Sequence, residues 1–244
     1  METFIAFWNI LKKDIKNYYL KPPNISWGII FPLSWTLMQL IRSSGNIEVI
    51  ELLPGLMAMS ILFGTTSMLA VTITFEKRSK SFDRLLLAPI SLSTLVAAKI
   101  LGAILFGIIN AFVPVVFMGF LINLSGINWA VVLMAVILIA ITSALLGLLV
   151  AVSVKEVFEA QTLSNFFRFP MLFLCGLFLP IDKLPAALKP ISFCLPLTYG
   201  TDMLNSAIIH NSYFSILFSI FIIIVFIIIL FYLCRRNIEK KWIL

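Results

Sequence analysis

Long apolar runs separated by short charged breaks set the first expectation for this chain. Residues 25–41, 52–75, 92–122, 129–154, 161–179 and 212–233 form six such runs. Each is close to the roughly 20 residues an α-helix needs to cross a bilayer. The runs are apolar on every face, as in 216–232, and lack the alternation of a membrane β-strand. Six crossing helices are therefore predicted. Ahead of them, Phe4, Phe7, Trp8, Leu11, Ile15 and Tyr18 recur at helical spacing, with Lys12, Lys13 and Lys16 on another face. Such a helix suits the headgroup layer, and Lys21-Pro22-Pro23 ends it. Small residues in the second run (Gly55, Ser60, Gly64, Thr65, Thr66, Ser67) and the Ser143, Gly147, Ala151 series in the fourth predict close helix contacts.

Two breaks are unlike simple turns. Residues 76–91 hold Glu76, Lys77, Arg78, Lys80, Asp83 and Arg84. Ser79 or Ser81 can cap a short helix there; Phe82, Leu85 and Leu86 give it an apolar side that needs covering, and Pro89 stops it. In 180–211, Pro180, Pro185, Pro190 and Pro196 recur too often for one straight helix. Two short helices over 184–193 and 196–209 are expected to dip into the membrane and leave on the same side, as shielded irregular backbone permits. The fold class is thus an all-α polytopic membrane protein. It comprises one domain over 1–244, with an interfacial helix (1–23), a charged hairpin (76–91), a re-entrant segment (180–211) and six transmembrane helices.

Composition agrees with that class. The 244 residues are 61% hydrophobic and 12% charged, about half the charge of an ordinary soluble domain. All but Arg42, Lys183 and Lys189 of the 18 Lys and Arg fall on one side of the six-span topology. The positive-inside rule places that side, with both termini, in the cytoplasm of a plasma-membrane protein. The net charge of +7 therefore points to the lipid bilayer rather than to nucleic acid. Cys175, Cys194 and Cys234 have no metal-ligand spacing. Cys175 and Cys194 are on the same side in this topology but read as unlinked buried thiols. His210 is the only histidine, with no second ligand or nucleophile motif beside it, so no catalytic, cofactor or metal site is expected.

Arg168 stands about seven residues into the fifth run. It can snorkel to headgroups, pair with Glu156 or Glu159, or meet an anionic group of a substrate.

Two blocks of sequence resemble a known family. Glu76-Lys77-Arg78 through Leu85-Leu86-x-Ala88-Pro89-Ile90-Ser91 is similar to the hairpin of type-2 ABC transporter permeases. Arg168-x-Pro170, Leu174-x-Gly176-x-Phe178-x-Pro180-Ile181, Leu184-Pro185 and Leu195-Pro196-Leu197-Thr198-Tyr199 with Asp202 resemble that family's region after the fifth span. Cys175, Asn205 and Ser81-Phe82 depart from residues common there. The resemblance implies a coupling helix against a separate nucleotide-binding subunit, built here from Glu76, Lys77, Arg78, Phe82, Arg84, Leu85, Leu86 and Pro89. It also implies an outer re-entrant gate from Gly176, Phe178, Pro180, Pro185, Pro196, Tyr199 and Asp202, and a homodimer of this chain. ATP and magnesium would sit on the partner, since no G-x-x-x-x-G-K-[ST] loop occurs here.

The expected function is the permease subunit of an ATP-driven exporter for an amphipathic or lipid-linked substrate, not an enzyme. Two alternatives stay open at this point. An ion-coupled secondary transporter would want acids within its spans, and none lies mid-span here. An intramembrane lipid-modifying enzyme would want clustered His, Asp or Glu at one membrane face, and only scattered ones occur.

Overall fold

The structure, a computed structural model, describes residues 2–16, 26, 30–42, 49–87, 90–177 and 179–243. All regular elements among them are helical. In chain order they are α1 (Glu2–Asp14), α2 (Phe31–Arg42), α3 (Leu53–Arg78, entered through the 3-10 turn Val49–Leu52), α4 (Ser81–Leu86) and α5 (Leu92–Gly119). Then follow α6 (Trp129–Ser153), α7 (Val157–Leu174), the 3-10 turn Ile181–Lys183, α8 (Lys189–Phe193), α9 (Pro196–Ile208) and α10 (Ile216–Ile238). A π-turn over Glu239–Ile243 ends the described chain.

Among the described residues, four helical stretches are long and apolar enough to cross a membrane: Val49–Arg78, Leu92–Gly119, Trp129–Ser153 and Ile216–Ile238. They match the second, third, fourth and sixth predicted runs. The first run is described mainly as α2, and its start lies partly outside the described residues, as do Lys21, Pro22 and Pro23. The fifth run is α7, 18 residues long, so about 27 Å at 1.5 Å per residue. Glu159 and Arg168 keep it more polar than the four.

Helix α3 is the axis of the fold. Within its apolar window 94% is buried, against 11% for α10 at the periphery. Its small residues explain how so many neighbours reach it. A Cβ on Gly147 of α6 would stand 2.9 Å from the Thr66 carbonyl oxygen, and one on Gly55 would overlap the Leu177 carbonyl. Backbones therefore meet where side chains are absent. Some hydroxyls in the apolar interior find partners on their own helix, as when Thr74 Oγ1 donates to the Ala70 carbonyl at 2.6 Å. Between α5 and α6 the chain turns at Gly126 (φ +89°), and Asn128 caps α6 by accepting the Val131 amide at 3.3 Å.

The amphipathic helix forms, but its faces differ from the expected ones. Ile10, Leu11 and Asp14 are buried, while Ile5, Trp8 and Ile15 are exposed. It lies against α5, so Leu11 of the expected stripe, with Ile10, packs on protein while Trp8 and Ile15 of that stripe stay exposed. The first outer helix is also shorter than 184–193, reduced to α8 and the 3-10 turn. Prolines at 180, 185 and 190 leave too few consecutive amide donors for more.

Candidate coupling site

The polar break after α3 is a helix end, a left-handed residue and a short second helix. Helix α3 does not stop at Phe75 but runs through Glu76 to Arg78. Lys80 takes φ 54° to reverse the chain, a conformation an L side chain tolerates at some cost. Ser79 Oγ and Ser81 Oγ both donate to the Glu76 carbonyl, at 3.1 and 3.2 Å. The two serines expected to cap the start of the hairpin helix thus satisfy the end of α3.

Glu76 is completely buried at the centre of four charges. Its Oε1 lies 2.6 Å from Lys13 Nζ and its Oε2 2.6 Å from Lys99 Nζ. Asp14 closes the ring, with Oδ2 3.0 Å from Lys99 Nζ and Oδ1 3.2 Å from Lys13 Nζ. Two cations and two anions leave no net charge, which is what makes burial of the group tolerable. The tetrad joins α1, α3 and α5 at one point. Partial burial lowers the Lys13 pKa, but the hydrogen bond to Glu76 and the charges of Asp14 and Glu76 outweigh it and leave it raised.

The tip of the hairpin is fastened separately. Phe82 is 2% exposed, its ring edge-on to Trp242 at 4.9 Å between centroids. Lys77 Nζ stands 4.2 Å above the same indole and donates to the Ala151 carbonyl at 3.3 Å. Trp242, from the far end of the sequence, thus covers Phe82 on the apolar side that needed covering. Arg78 pairs with Glu156 at 3.6 Å, linking the hairpin to the break before α7. There Glu159 accepts the Lys155 and Glu156 amides at 3.1 and 3.3 Å, completing a capping box. These bonds draw the Glu159 pKa below its usual value.

Of the residues expected to face a partner, Glu76 and Phe82 are turned inward, and Leu85 is half-buried. Arg78 and Arg84 are exposed, joined by Lys80 and by Leu87 at 86%. Pro89 and the side chain of Leu86 lie outside the described residues.

Arg168 does not reach headgroups, nor does it pair with Glu156 or Glu159. It is fully buried between α7 and α3. Its Nε donates to Thr66 Oγ1 at 2.7 Å, its Nη1 to Asn165 Oδ1 at 3.2 Å, and the guanidinium lies 5.2 Å from the Phe63 ring centre. Two hydrogen bonds and a ring face partner the guanidinium, while Nη2 has no hydrogen-bond partner among the described residues.

In the outer segment, Gly176 takes φ +77° as the chain leaves α7, and Phe178 lies outside the described residues. Pro180 and Pro185 are exposed, and Pro196 opens α9 where its missing N–H costs nothing. Tyr199 is buried, donates to the Phe193 carbonyl at 2.9 Å and stacks 5.3 Å from Phe214. Asp202 accepts the Tyr213 and Phe214 amides at 2.6 and 3.0 Å, tying α9 to the turn before α10. Helix α9 runs beside half of α6: Asn128 donates to the Ala207 carbonyl at 3.0 Å, while Pro196 and Leu197 lie with Thr142, Ser143 and Leu146. Cys175 is buried and Cys194 exposed; both are free thiols.

Asp14, Lys99 and Trp242 were not singled out as site residues. Two of them carried a signal. Asp14 follows Ile10 and Leu11 at helical spacing, a carboxylate in line with an apolar stripe, and Lys99 is a lone cation inside an apolar run. Each requires a buried partner. Trp242 carried none.

Known proteins are similar to this chain over nearly its whole length. Inner membrane transport permease YadH of Escherichia coli K12 is 21% identical over 245 residues, covering 97% of this chain and 96% of that protein. The proteins of the same name from Escherichia coli O157:H7 and Shigella flexneri match equally. The sequence model of the ABC-2 type transporter family matches residues 5–209, from α1 across the hairpin to the end of α9, and the chain belongs to that family.

Proposed function

We propose that this permease, the membrane-embedded component of an ABC transporter, is driven through the 76–91 hairpin by a separate ATPase and exports an amphipathic or lipid-linked substrate. The observation carrying this reading is the wiring of the hairpin. Its base is joined to α1 and α5 by four charges, and its tip to the end of α10 by Phe82 and Trp242. A push on the exposed Lys80, Arg84 and Leu87 would reach four elements together, because packed interiors transmit displacement rather than absorb it. ATP and magnesium belong to the partner. The chain works as a homodimer in the plasma (inner) membrane with both termini cytoplasmic, and Gly176, Phe178, Pro180, Pro185, Pro196, Tyr199 and Asp202 form the outer gate. The start of α9 beside Thr142 and Leu146, deep along α6, supports a segment that re-enters the membrane.

Affinity purification of the full chain from membranes tests the coupling. An ABC ATPase is expected to accompany the wild type, and a Lys80→Glu, Arg84→Glu double variant is expected to lose it while keeping its elution volume. Retention of the ATPase by that variant refutes the hairpin as the docking element. Labelling of a cysteine placed at Ser81 by an impermeant reagent in sealed cells would refute the orientation. An ATPase whose turnover ignores the permease would refute the coupling.

A further inference from the structure

A groove of about 580 Å³ lies between α5 and α10 at the hairpin end of the bundle, with Leu148 of α6 as its floor. Its walls are hydrocarbon, chiefly Val96, Ala97, Ile100 and Phe231, and Arg235 and Glu239 stand at its mouth. The eight steps from Phe231 to Glu239 make it about 12 Å deep along the helix. The volume is within the range of small-molecule sites, and below the charged mouth the walls are mostly hydrocarbon, with Ser93 a polar residue on the α5 side. Helix α10 is the least covered of the long helices, so the groove opens toward the bilayer.

The mouth is basic. Arg235 Nε meets Glu239 Oε1 at 3.0 Å, but both side chains are more than half exposed, so the pair holds them weakly. Arg236 and Lys240 are exposed within the same turn and a half. Arg235 and Glu239 therefore stand at the end of an acyl-sized slot, with two further cations, Arg236 and Lys240, exposed beside them in sequence. We infer that the groove binds one anionic phospholipid of the adjoining leaflet, its acyl chain between α5 and α10 and its phosphate at Arg235 and Arg236. Basic sites at helix ends on the positive side of a membrane favour anionic headgroups in this way.

The test uses the full chain in phosphatidylcholine nanodiscs doped with a trace of phosphatidylglycerol or phosphatidylcholine, each bearing the same photoreactive diazirine in its acyl chain. After irradiation, peptides covering 96–100 and 231–238 are expected to carry about fivefold more phosphatidylglycerol than phosphatidylcholine adduct. Ala97→Trp fills the slot and is expected to abolish both adducts. Arg235→Gln with Arg236→Gln is expected to bring the two probes to parity. Salt at 1 M should do the same without any substitution, because screening is then nearly complete at about 3 Å. Equal labelling of the unmodified protein at low salt overturns the inference. So does displacement by inorganic phosphate, which would mark a plain anion site, or cross-linking to a second copy with no lipid adduct.

Discussion

Lys99 Nζ lies 2.6 Å from Glu76 Oε2, and both side chains are sealed from solvent within 2%. The two residues sit on different helices, and without the other each would keep one counter-ion, Glu76 with Lys13 and Lys99 with Asp14. Glu76→Gln leaves three charges with a net +1 in the ring, and removing one member of a buried pair costs about 3–5 kcal/mol. Glu76→Gln with Lys99→Met restores neutrality through the remaining Lys13–Asp14 pair and is expected to recover most of that loss. Thermal unfolding of the four proteins of this cycle in detergent measures the coupling, expected to exceed about 1 kcal/mol. Additive losses would show that the charges act independently.

Trp242 acts on the hairpin from the opposite end of the sequence. Trp242→Ala removes the edge-to-face contact to Phe82 and the cation–π contact to Lys77, together about 1–3 kcal/mol. Hydrogen exchange over Ser81–Leu86 is expected to accelerate while α3 stays protected. On the proposed coupling to a separate ATPase, ATP turnover should respond less to the permease, because part of the push would be spent moving a loose hairpin.

Close packing on the central helix predicts an asymmetry between glycines. Gly55→Ala forces a methyl group onto the Leu177 backbone, which cannot rotate away, at about 1–3 kcal/mol. Gly119→Ala meets only the Leu124 side chain at 3.5 Å, ordinary contact, and is expected to be neutral or slightly stabilising. Paired melting curves decide it.

Asp202 holds two amides with two oxygens, and Asp202→Asn can accept with only one. The variant is expected to lose about 1–3 kcal/mol, with faster exchange at the Tyr213 and Phe214 amides. Unchanged protection there would remove Asp202 from the α9–α10 connection.

The pH response follows from Lys13 and Glu159. The Lys13 pKa is raised on folding, so its contribution is fully present below its ordinary 10.5 and lost as pH climbs beyond that. The Glu159 pKa is lowered, so its contribution is present above its ordinary 4.5 and lost as pH falls. Exchange in α1 is therefore expected to rise only in strong alkali, and exchange in the first turn of α7 only in acid. Loosening of α1 near neutral pH would mean that Lys13 does not hold the tetrad.

Run length and hydropathy alone located the four long apolar helices, as the second, third, fourth and sixth of the six expected runs, because a bilayer demands about 20 apolar residues with every amide bonded inside the segment. They also located the hairpin between α3 and α5, and the proline-broken segment from 180 onward. Partners were another matter. Apolar residues cover nearly every face of these helices, so periodicity does not say which face meets which neighbour. Only the tertiary structure brought Glu76 to Lys13, 63 residues away, turned Phe82 under Trp242 and buried Arg168 against Thr66. A charge in the sequence announces that it needs a counterpart; the folded chain supplies it from wherever packing brings one within about 3 Å.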